Sequence, residues 1–333
     1  MDLRLLNDFQ RAFPLTSRPF ETIGFRLGLT EAEVIERLRH HVTRGSISRV
    51  GAVFSPGRVG ASTLAAMAVP PTCLPAVAEL VSRRPEVNHN YEREHHFNLW
   101  FVACAANEAR LTEVLDDIER ESGLPVMRLP LVEDYHIDLG FDLSGREALR
   151  RSDGATRRHA SSCHPPSFNG HPFARCLLAL LQDGLPLLPR PYAEIARRMG
   201  VSEKAVLAQI AAWLEDGTIK RLGVVVRHRP LGYMANAMVV FDIPDSLVGL
   251  AGRDIAKFGF VTLCYRRPRR LPDWPYNLFC MIHGTDRHEV LGQIEQLRRA
   301  CGLESYPHAV LFSRQAFKQR GARYVEAVEA AHG

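Results

Sequence analysis

Two short stretches concentrate side chains able to do chemistry. In REHHFNLWF (93–101), Arg93, Glu94, His95 and His96 lead into an alternating run, with His89 and Tyr91 just before them. In RRPRRLPDWPYNLFCMIHG (266–284), Arg266, Arg267, Arg269 and Arg270 are followed by Trp274, Tyr276 and His283. Cations crowded this closely repel, so both stretches predict a multiply charged anion between them. A flat aromatic ligand with several carboxylates meets the requirement. Arginine forks hold carboxylates bidentately, aromatic rings such as Trp100 and Trp274 stack on a π face, and histidine supplies a metal ligand or a proton donor near neutral pH.

The elements that must position these groups are written twice. RPFETIGFRLGLTEAEVIERLRHHVTRGSISRVGAVF from Arg18 lies without a gap over RPYAEIARRMGVSEKAVLAQIAAWLEDGTIKRLGVVV from Arg190. Pro19/Pro191, Ile23/Ile195, Gly28/Gly200, Gly45/Gly217, Ile47/Ile219, Arg49/Arg221 and Gly51/Gly223 coincide, which marks a tandem duplication. Each copy starts with three helices, the third capped by Thr30 or Ser202 and ended by Gly45 or Gly217, and then a short strand: a winged helix-turn-helix. A β-α-β-β-α-β order follows, predicting an α+β chain of two ferredoxin-like domains, each with one sheet face under helices and the other covered by the opposite copy. The expected boundaries are 1–55 and 60–141 for the first copy, an exposed linker at 142–172 rich in Ser, Gly, Pro and Arg, then 173–227 and 232–325.

Composition narrows the function. The chain has 333 residues, 46% hydrophobic and 24% charged, with a net charge of +5, a mild excess that suits an anionic ligand but does not imply nucleic acid. No apolar run approaches the roughly 20 residues that span a bilayer, and the opening MDLRLLNDFQRAF is too polar for a signal peptide, so no membrane and a cytoplasmic location are expected. Cys73, Cys104, Cys163, Cys176, Cys264, Cys280 and Cys301 form no C-x-x-C pair, which argues against a zinc site or a disulfide framework.

A helix-turn-helix invites a DNA-binding reading, but the recognition helices lack the groove chemistry. The first opens Thr30-Glu31-Ala32-Glu33 and continues to Glu36, placing carboxylates against phosphates; the second offers Lys204 as its one cation. The expectation is against DNA and for a structural role, packing on the sheets or the other copy. Within the sheets, Phe97, Leu99 and Phe101 are expected in the core, with Trp100 on the opposite face.

With FPLTSRPFETIGFRLGL, REHHFNLWF and RRPRRLPDWPYNLFCMIHG on the page, the chain resembles the siroheme decarboxylases in their fused two-copy form from heme d1 biosynthesis, a family similar in fold to the Lrp/AsnC regulators. The resemblance covers both copies. It implies loss of CO2 from the acetates on C12 and C18 of siroheme to give 12,18-didecarboxysiroheme, with no cofactor beyond the iron carried by the siroheme itself. It also implies siroheme as partner, with a homodimer or a complex with related decarboxylase subunits as further possibilities.

The family motif Arg-x-His before Phe-Asn-Leu-Trp is matched by Arg93 and His95, and Pro-x-Trp-Pro-Tyr-Asn by Pro272, Trp274, Pro275, Tyr276 and Asn277. A family His before the Tyr is present as His89 but replaced in the second copy by Leu263, which points to the first copy as the catalytic half. The expected roles are His95 as first-choice acid and His89 as second, with Arg93 orienting the acetate. His96, or His95 in its place, is an alternative axial ligand to the substrate iron. Tyr91, Trp100, Arg266, Arg267, Arg269, Trp274, Tyr276, His96 and His283 are the expected substrate contacts. The competing functions are an Lrp/AsnC-type regulator and a heme-binding protein without catalysis.

Overall fold

The computed structural model describes residues 2–137, 171–227 and 235–325. The expected linker lies outside these residues except for its last two, 171 and 172.

Each copy opens with the expected helices: α1 (Asp2–Asp8), α2 (Pro19–Leu27) and α3 (Glu31–Thr43) in the first, α7 (Pro172–Leu181), α8 (Pro191–Met199) and α9 (Glu203–Glu215) in the second. Gly28 and Gly200 end the second helix of each copy with φ of 70° and 64°, a backbone region costly for any residue with a Cβ. Thr30 caps α3 in a reciprocal capping box with Glu33, and Ser202 accepts from the Ala205 N–H to cap α9.

The strands that follow, β1 (Ile47–Phe54) and β7 (Ile219–Val226), do not form a wing within each copy. They pair with each other, antiparallel, with Gly51 opposite Gly223. The helices cross over as well: the Val224 N–H donates to Phe9 O at 2.9 Å, and the Leu185 N–H to Val50 O at 2.7 Å. One core therefore holds Leu5, Phe20 and Leu38 of the first copy with Leu178, Tyr192 and Trp213 of the second. A strand with this much apolar surface needs a partner strand and a cover, and here both come from the other copy.

After the short helix α4 (Pro56–Val59), the remaining strands of the first copy are β2 (Ala61–Met67), β3 (Val87–Arg93), β4 (Leu99–Ala105), β5 (Met127–Pro130) and β6 (Glu133–Ile137). Those of the second are β8 (Ala235–Phe241), β9 (Val261–Arg266), β10 (Leu278–Gly284) and β11 (His308–Gln319). The last strand of the first copy's β-α-β-β-α-β order is broken in two, β5 and β6. Its first part pairs with β2, and its second crosses to β9 of the other copy. β11 does the same without a break, pairing first with β8 and then with β3.

The result is a nine-stranded sheet in the order β5-β2-β4-β3-β11-β8-β10-β9-β6. Its two end strands are successive segments of one chain, so the sheet curls back on itself. Helices α5 (Leu74–Arg83), α6 (Glu108–Ser122), α10 (Val248–Ile255) and α11 (Arg287–Ala300) cover the outer face over two separate cores. The inner faces of both copies meet in a fourth core around Trp100, Trp274, Phe279 and Leu129, as expected for sheet-to-sheet pairing.

Crossing strands need room on the other copy. A Cβ on Gly252 of α10 would lie 2.1 Å from the ring of Tyr135 on β6. Gly292 of α11 has nothing within 4 Å. Gly252→Ala should therefore destabilise by about 1–3 kcal/mol through overpacking, whereas Gly292→Ala should stabilise by roughly 0.5–1 kcal/mol through helix propensity. Thermal melts of the two variants test this, and equal shifts would contradict the Tyr135 contact.

Candidate functional site

Side chains two apart on a strand share a face, so β3 sends His89, Tyr91 and Arg93 inward together and β4 sends Trp100, Val102 and Cys104. Leu263 and Tyr265 on β9 and Met281 and His283 on β10 face them from the second copy. With the β1–β7 ribbon and the tail after β11 they enclose a cavity of about 380 Å3, within the usual range for small-molecule sites. The ribbon contributes Arg49, Lys220, Arg221 and Arg227, and the tail Arg320 and Tyr324. Counting Arg93, the described residues that line the cavity include six cations and two histidines, and no Asp or Glu is among them.

The cations are anchored chiefly by neutral groups. Arg93 is buried and donates to the carbonyl of Leu311, at 3.0 Å, in the other copy. Arg221 donates to Gln10 O at 3.2 Å and Arg49 to Ala52 O at 2.9 Å. Lys220 lies 3.2 Å from the Asp134 carboxylate. The Nε–H groups of Arg49, Arg227 and Arg320 are buried and have no hydrogen-bond partner among the described residues. Burial draws the Arg49 guanidinium below its ordinary pKa, against the pull of Asp183; burial and then Arg323 do the same to Arg320. A wall of desolvated cations without carboxylates is suited to an anion that brings several of its own.

Of the expected site residues, the structure brings His89, Tyr91, Arg93, Trp100 and His283 to the cavity. Trp100 is held there by its indole N–H, which donates to Phe97 O at 2.6 Å. The others lie off the cavity. Strand alternation stops at Arg93, and the chain turns: the Phe97 N–H donates to His95 Nδ1 at 3.0 Å, and the His95 ring packs edge-on against Trp274, 5.4 Å between centroids. His96 is exposed on the same turn beside Phe97. Neither His95, the expected acid, nor His96, the expected axial ligand, is among the residues that line the cavity.

The arginine cluster of the second copy is bound to groups of the protein itself. Arg266 pairs with Asp245 at 2.8 Å, and Arg269 with Asp242 at 2.6 Å and Asp245 at 2.9 Å. Arg270 donates to Arg128 O at 2.8 Å. Carboxylates and carbonyls of the protein, not a bound anion, offset this charge. Arg267 stacks over Tyr265 at 4.5 Å and donates to Leu129 O, mirroring the reach of Arg93 past Tyr91 to Leu311. Trp274 is fully buried between Trp100, Tyr276 and Phe279, so it and Tyr276 anchor the loop between β9 and β10 in the core.

Sequence reasoning passed over the ribbon and the tail. Arg49 and Arg221 were visible as a coincidence of the repeat, but no local pattern says that the ribbon roofs a cavity between sheets. The tail is tied down far along the chain: Gln182 bonds the backbone of Tyr324 and Val325, and Arg323 pairs with Asp183 at 2.6 Å. The acids of the recognition helices are engaged within the fold, Glu31 by Arg18 and Glu203 by Arg190. Among the described residues no group of three His, Cys, Asp or Glu is placed to hold a metal ion, and no helix is long and apolar enough to cross a membrane.

Burial, and then the neighbouring His96, holds the His95 pKa below its ordinary 6.5. The neutral ring is the one the turn uses, since Nδ1 must accept from Phe97. A histidine with a folded pKa below its unfolded value gives stability that is present above about 6.5 and declines as pH falls below it. An NMR titration of the His95 Hε1 should show a midpoint below 6.5; a midpoint at or above that value would refute the turn geometry.

Comparison with known proteins bears on both the fold and the cavity. A family model described as an AsnC-like ligand binding domain matches residues 58–136 and 230–318, and one described as a siroheme decarboxylase NirDL-like HTH domain matches 2–47 and 174–219. The chain is 43% identical over 330 residues to the siroheme decarboxylase NirDL subunit of Paracoccus denitrificans, with 98% of each chain covered. It is 52% identical over 148 residues to the siroheme decarboxylase NirL subunit of Stutzerimonas stutzeri, covering 44% of this chain and 87% of that one. Crystal structures of the siroheme decarboxylase NirDL, alone and in co-complex with an iron-uroporphyrin III analogue, superpose with TM-scores of 0.71 and 0.69. Both are 27% identical over 97% of this chain, which covers 94% and 92% of theirs.

Proposed function

This chain belongs to the siroheme decarboxylase family, and on that premise we propose that its central cavity binds siroheme and removes the carboxyl groups of two acetate side chains as CO2. The observation that carries the proposal is the cavity wall: among the described residues it has six cations, two histidines, aromatic rings and no carboxylate, drawn from both copies of one chain. A tetrapyrrole with carboxylates around its rim needs that combination. The cations hold the rim, Tyr91, Trp100 and Tyr265 give apolar faces to the ring, and each histidine can deliver a proton.

The chemistry is a proton-for-CO2 exchange. The bond between the acetate methylene and its carboxylate breaks, the electron pair stays on the methylene and is spread into the macrocycle, and a proton on that carbon completes the methyl group. No electrons are gained or lost overall, so no redox cofactor is required, and the iron enters as part of the substrate. We assign the acid to His89, which faces the cavity beside Tyr91, at 6.1 Å between ring centroids. Arg93, fixed by Leu311 O, orients the departing carboxylate. An apolar surround of Trp100 and Val102 favours the transition state, in which charge is leaving the carboxylate, over the fully charged ground state.

Both cavity walls belong to one chain, so pairing with a second copy or with half-length relatives of the NirL kind would add to this site rather than complete it. A cytoplasmic location accords with a substrate and product that are both soluble polyanions.

Anaerobic incubation with siroheme, followed by product mass, tests the function: loss of two CO2 is expected, and a protein that binds siroheme but releases none would overturn it. His89→Gln should lower formation of the fully decarboxylated product by roughly 10²–10⁴-fold, the usual contribution of a general acid. His95→Gln should leave turnover close to that of the unaltered protein. The reverse pattern would return the acid to the turn.

A further inference from the structure

β3 and β9 carry the same irregularity. The duplication aligns them through Tyr91 and Tyr265, and aligns β4 with β10 through Asn98 and Asn277, which make the same pair of bonds, to Val69 and to Ile243. In the first copy Val87 pairs with Ala103 and His89 with Val102; in the second Val261 pairs with Ile282 and Leu263 with Met281. At the same step, therefore, each strand holds one residue more than its partner, Asn88 in β3 and Thr262 in β9. A bulge of this kind breaks the alternation of faces. Val87 and Val261 pack outward under the helices, whereas Asn88 and His89 both turn inward to line the cavity, as do Thr262 and Leu263.

The two bulges use the extra side chain differently. The Thr262 hydroxyl donates to Met281 O at 3.3 Å and lies 3.1 Å from His283 Nδ1, so it is spent on the protein. Asn88 is only 6% exposed, and its Oδ1 is buried with no hydrogen-bond partner among the described residues. Asn98 and Asn277 show the contrast, since main-chain groups satisfy their amides at both ends. Nor does the backbone call for Asn at this place: among the described residues only glycines have a positive φ, and Thr holds the same bulge in the second copy. A buried polar group left unpaired costs stability, so a native fold keeps few of them, and one on a cavity wall is satisfied by what fills the cavity.

The surroundings of Asn88 indicate what that is. Its own carbonyl accepts the Arg320 N–H at 2.9 Å, which seats the tail on the bulge and brings a cation of the cavity wall beside the amide. A carboxamide has nearly the same shape with its ends exchanged, so half a turn of the side chain brings two N–H donors to the place held by Oδ1. A ligand rimmed with carboxylates offers acceptors, and the NH2 end is the one that meets them. A neutral donor also adds a bond without adding charge to a wall that already includes six cations.

We propose that Asn88 binds substrate: its amide, with Arg320, holds the carboxylate of the acetate that lies beside His89, the next residue of the bulge. An acetate arm has one methylene between ring and carboxylate and a propionate arm has two, so a seat built into a buried strand suits one length and not the other. Asn88 thereby selects which kind of rim group is presented to His89. This inference rests on the siroheme decarboxylase function proposed above.

The test compares two iron porphyrins that differ only in their acetates: iron-uroporphyrin, which has them, and iron-coproporphyrin, in which methyl groups replace them and the propionates remain. Soret titrations are made with the unaltered protein, Asn88→Thr and Asn88→Leu. Thr is what the same bulge carries in the second copy, and Leu fills the space without an unpaired amide. Both variants should bind iron-uroporphyrin roughly 10–100-fold more weakly, the usual value of a hydrogen bond to a charged group, and should bind iron-coproporphyrin as the unaltered protein does. The melting temperature of Asn88→Leu should not fall, since the substitution removes a group with an unmet bond.

Unchanged affinity for iron-uroporphyrin in the two variants would overturn the proposal. So would an equal loss for both porphyrins, which would mark Asn88 as part of the scaffold, as would a lowered melting temperature in Asn88→Leu. If the unaltered protein binds neither porphyrin, the function proposed above fails and this inference falls with it.

Discussion

The structure depends on an exchange of strand edges. β3 and β9 would each be a free edge in an isolated copy, and each is completed by the last strand of the other copy. Free edges carry unpaired backbone donors and acceptors, so a single copy would be left with two open seams, which proteins ordinarily cover, charge or pair. The seams are reinforced symmetrically. Tyr135 on β6 packs onto α10 where Gly252 leaves room, and Lys318 on β11 donates to the carbonyls of Ser82 and Arg84 at the end of α5. The same exchange recurs among the helices, where the turn after α1 bonds β7 and the turn after α7 bonds β1. The duplicated halves are thus interlocked rather than merely docked, and the space between their inner faces is enclosed by both.

Enclosure sets the electrostatics. Removing an arginine from water costs several kcal/mol unless other groups replace the water, and here the replacements are mostly main-chain carbonyls: Leu311 for Arg93, Leu129 for Arg267, Gln10 for Arg221 and Ala52 for Arg49. Carbonyls satisfy the N–H donors but leave the net charge in place. The end of β9 and the loop after it show the other solution, with Asp242 and Asp245 paired to Arg266 and Arg269. One set of arginines is folded into the scaffold; the other stays as field directed into the cavity.

This division explains what could be read from the sequence. The duplication, the helix caps and the strand order were legible because each rests on spacing within one copy. His89, Tyr91, Arg93 and Trp100 were legible as a group because alternation along β3 and β4 is a local rule. The rule failed at His95 and His96, where a turn replaces the strand, and it could not separate arginines that face a ligand from arginines that face Asp242 and Asp245. Arg320, Tyr324 and Arg227 were illegible for a different reason: the first two reach the cavity only because β11 and its tail cross to the other copy, the third because β7 pairs with β1 of the other copy, and no pattern within a copy encodes either crossing.

The internal comparison also separates scaffold from chemistry. Asn98 and Asn277, Arg93 and Arg267, and Gly51 and Gly223 keep residue type and role, since each holds the same joint on either side of the pseudo-two-fold axis. Among the places where the copies diverge within the cavity are both of its histidines: His89 stands against Leu263, and His283 against Cys104. A ligand without two-fold symmetry cannot be served by a symmetric wall. Two copies that must interlock symmetrically can still present unequal faces, provided that the inequality is confined to side chains pointing into the space between them.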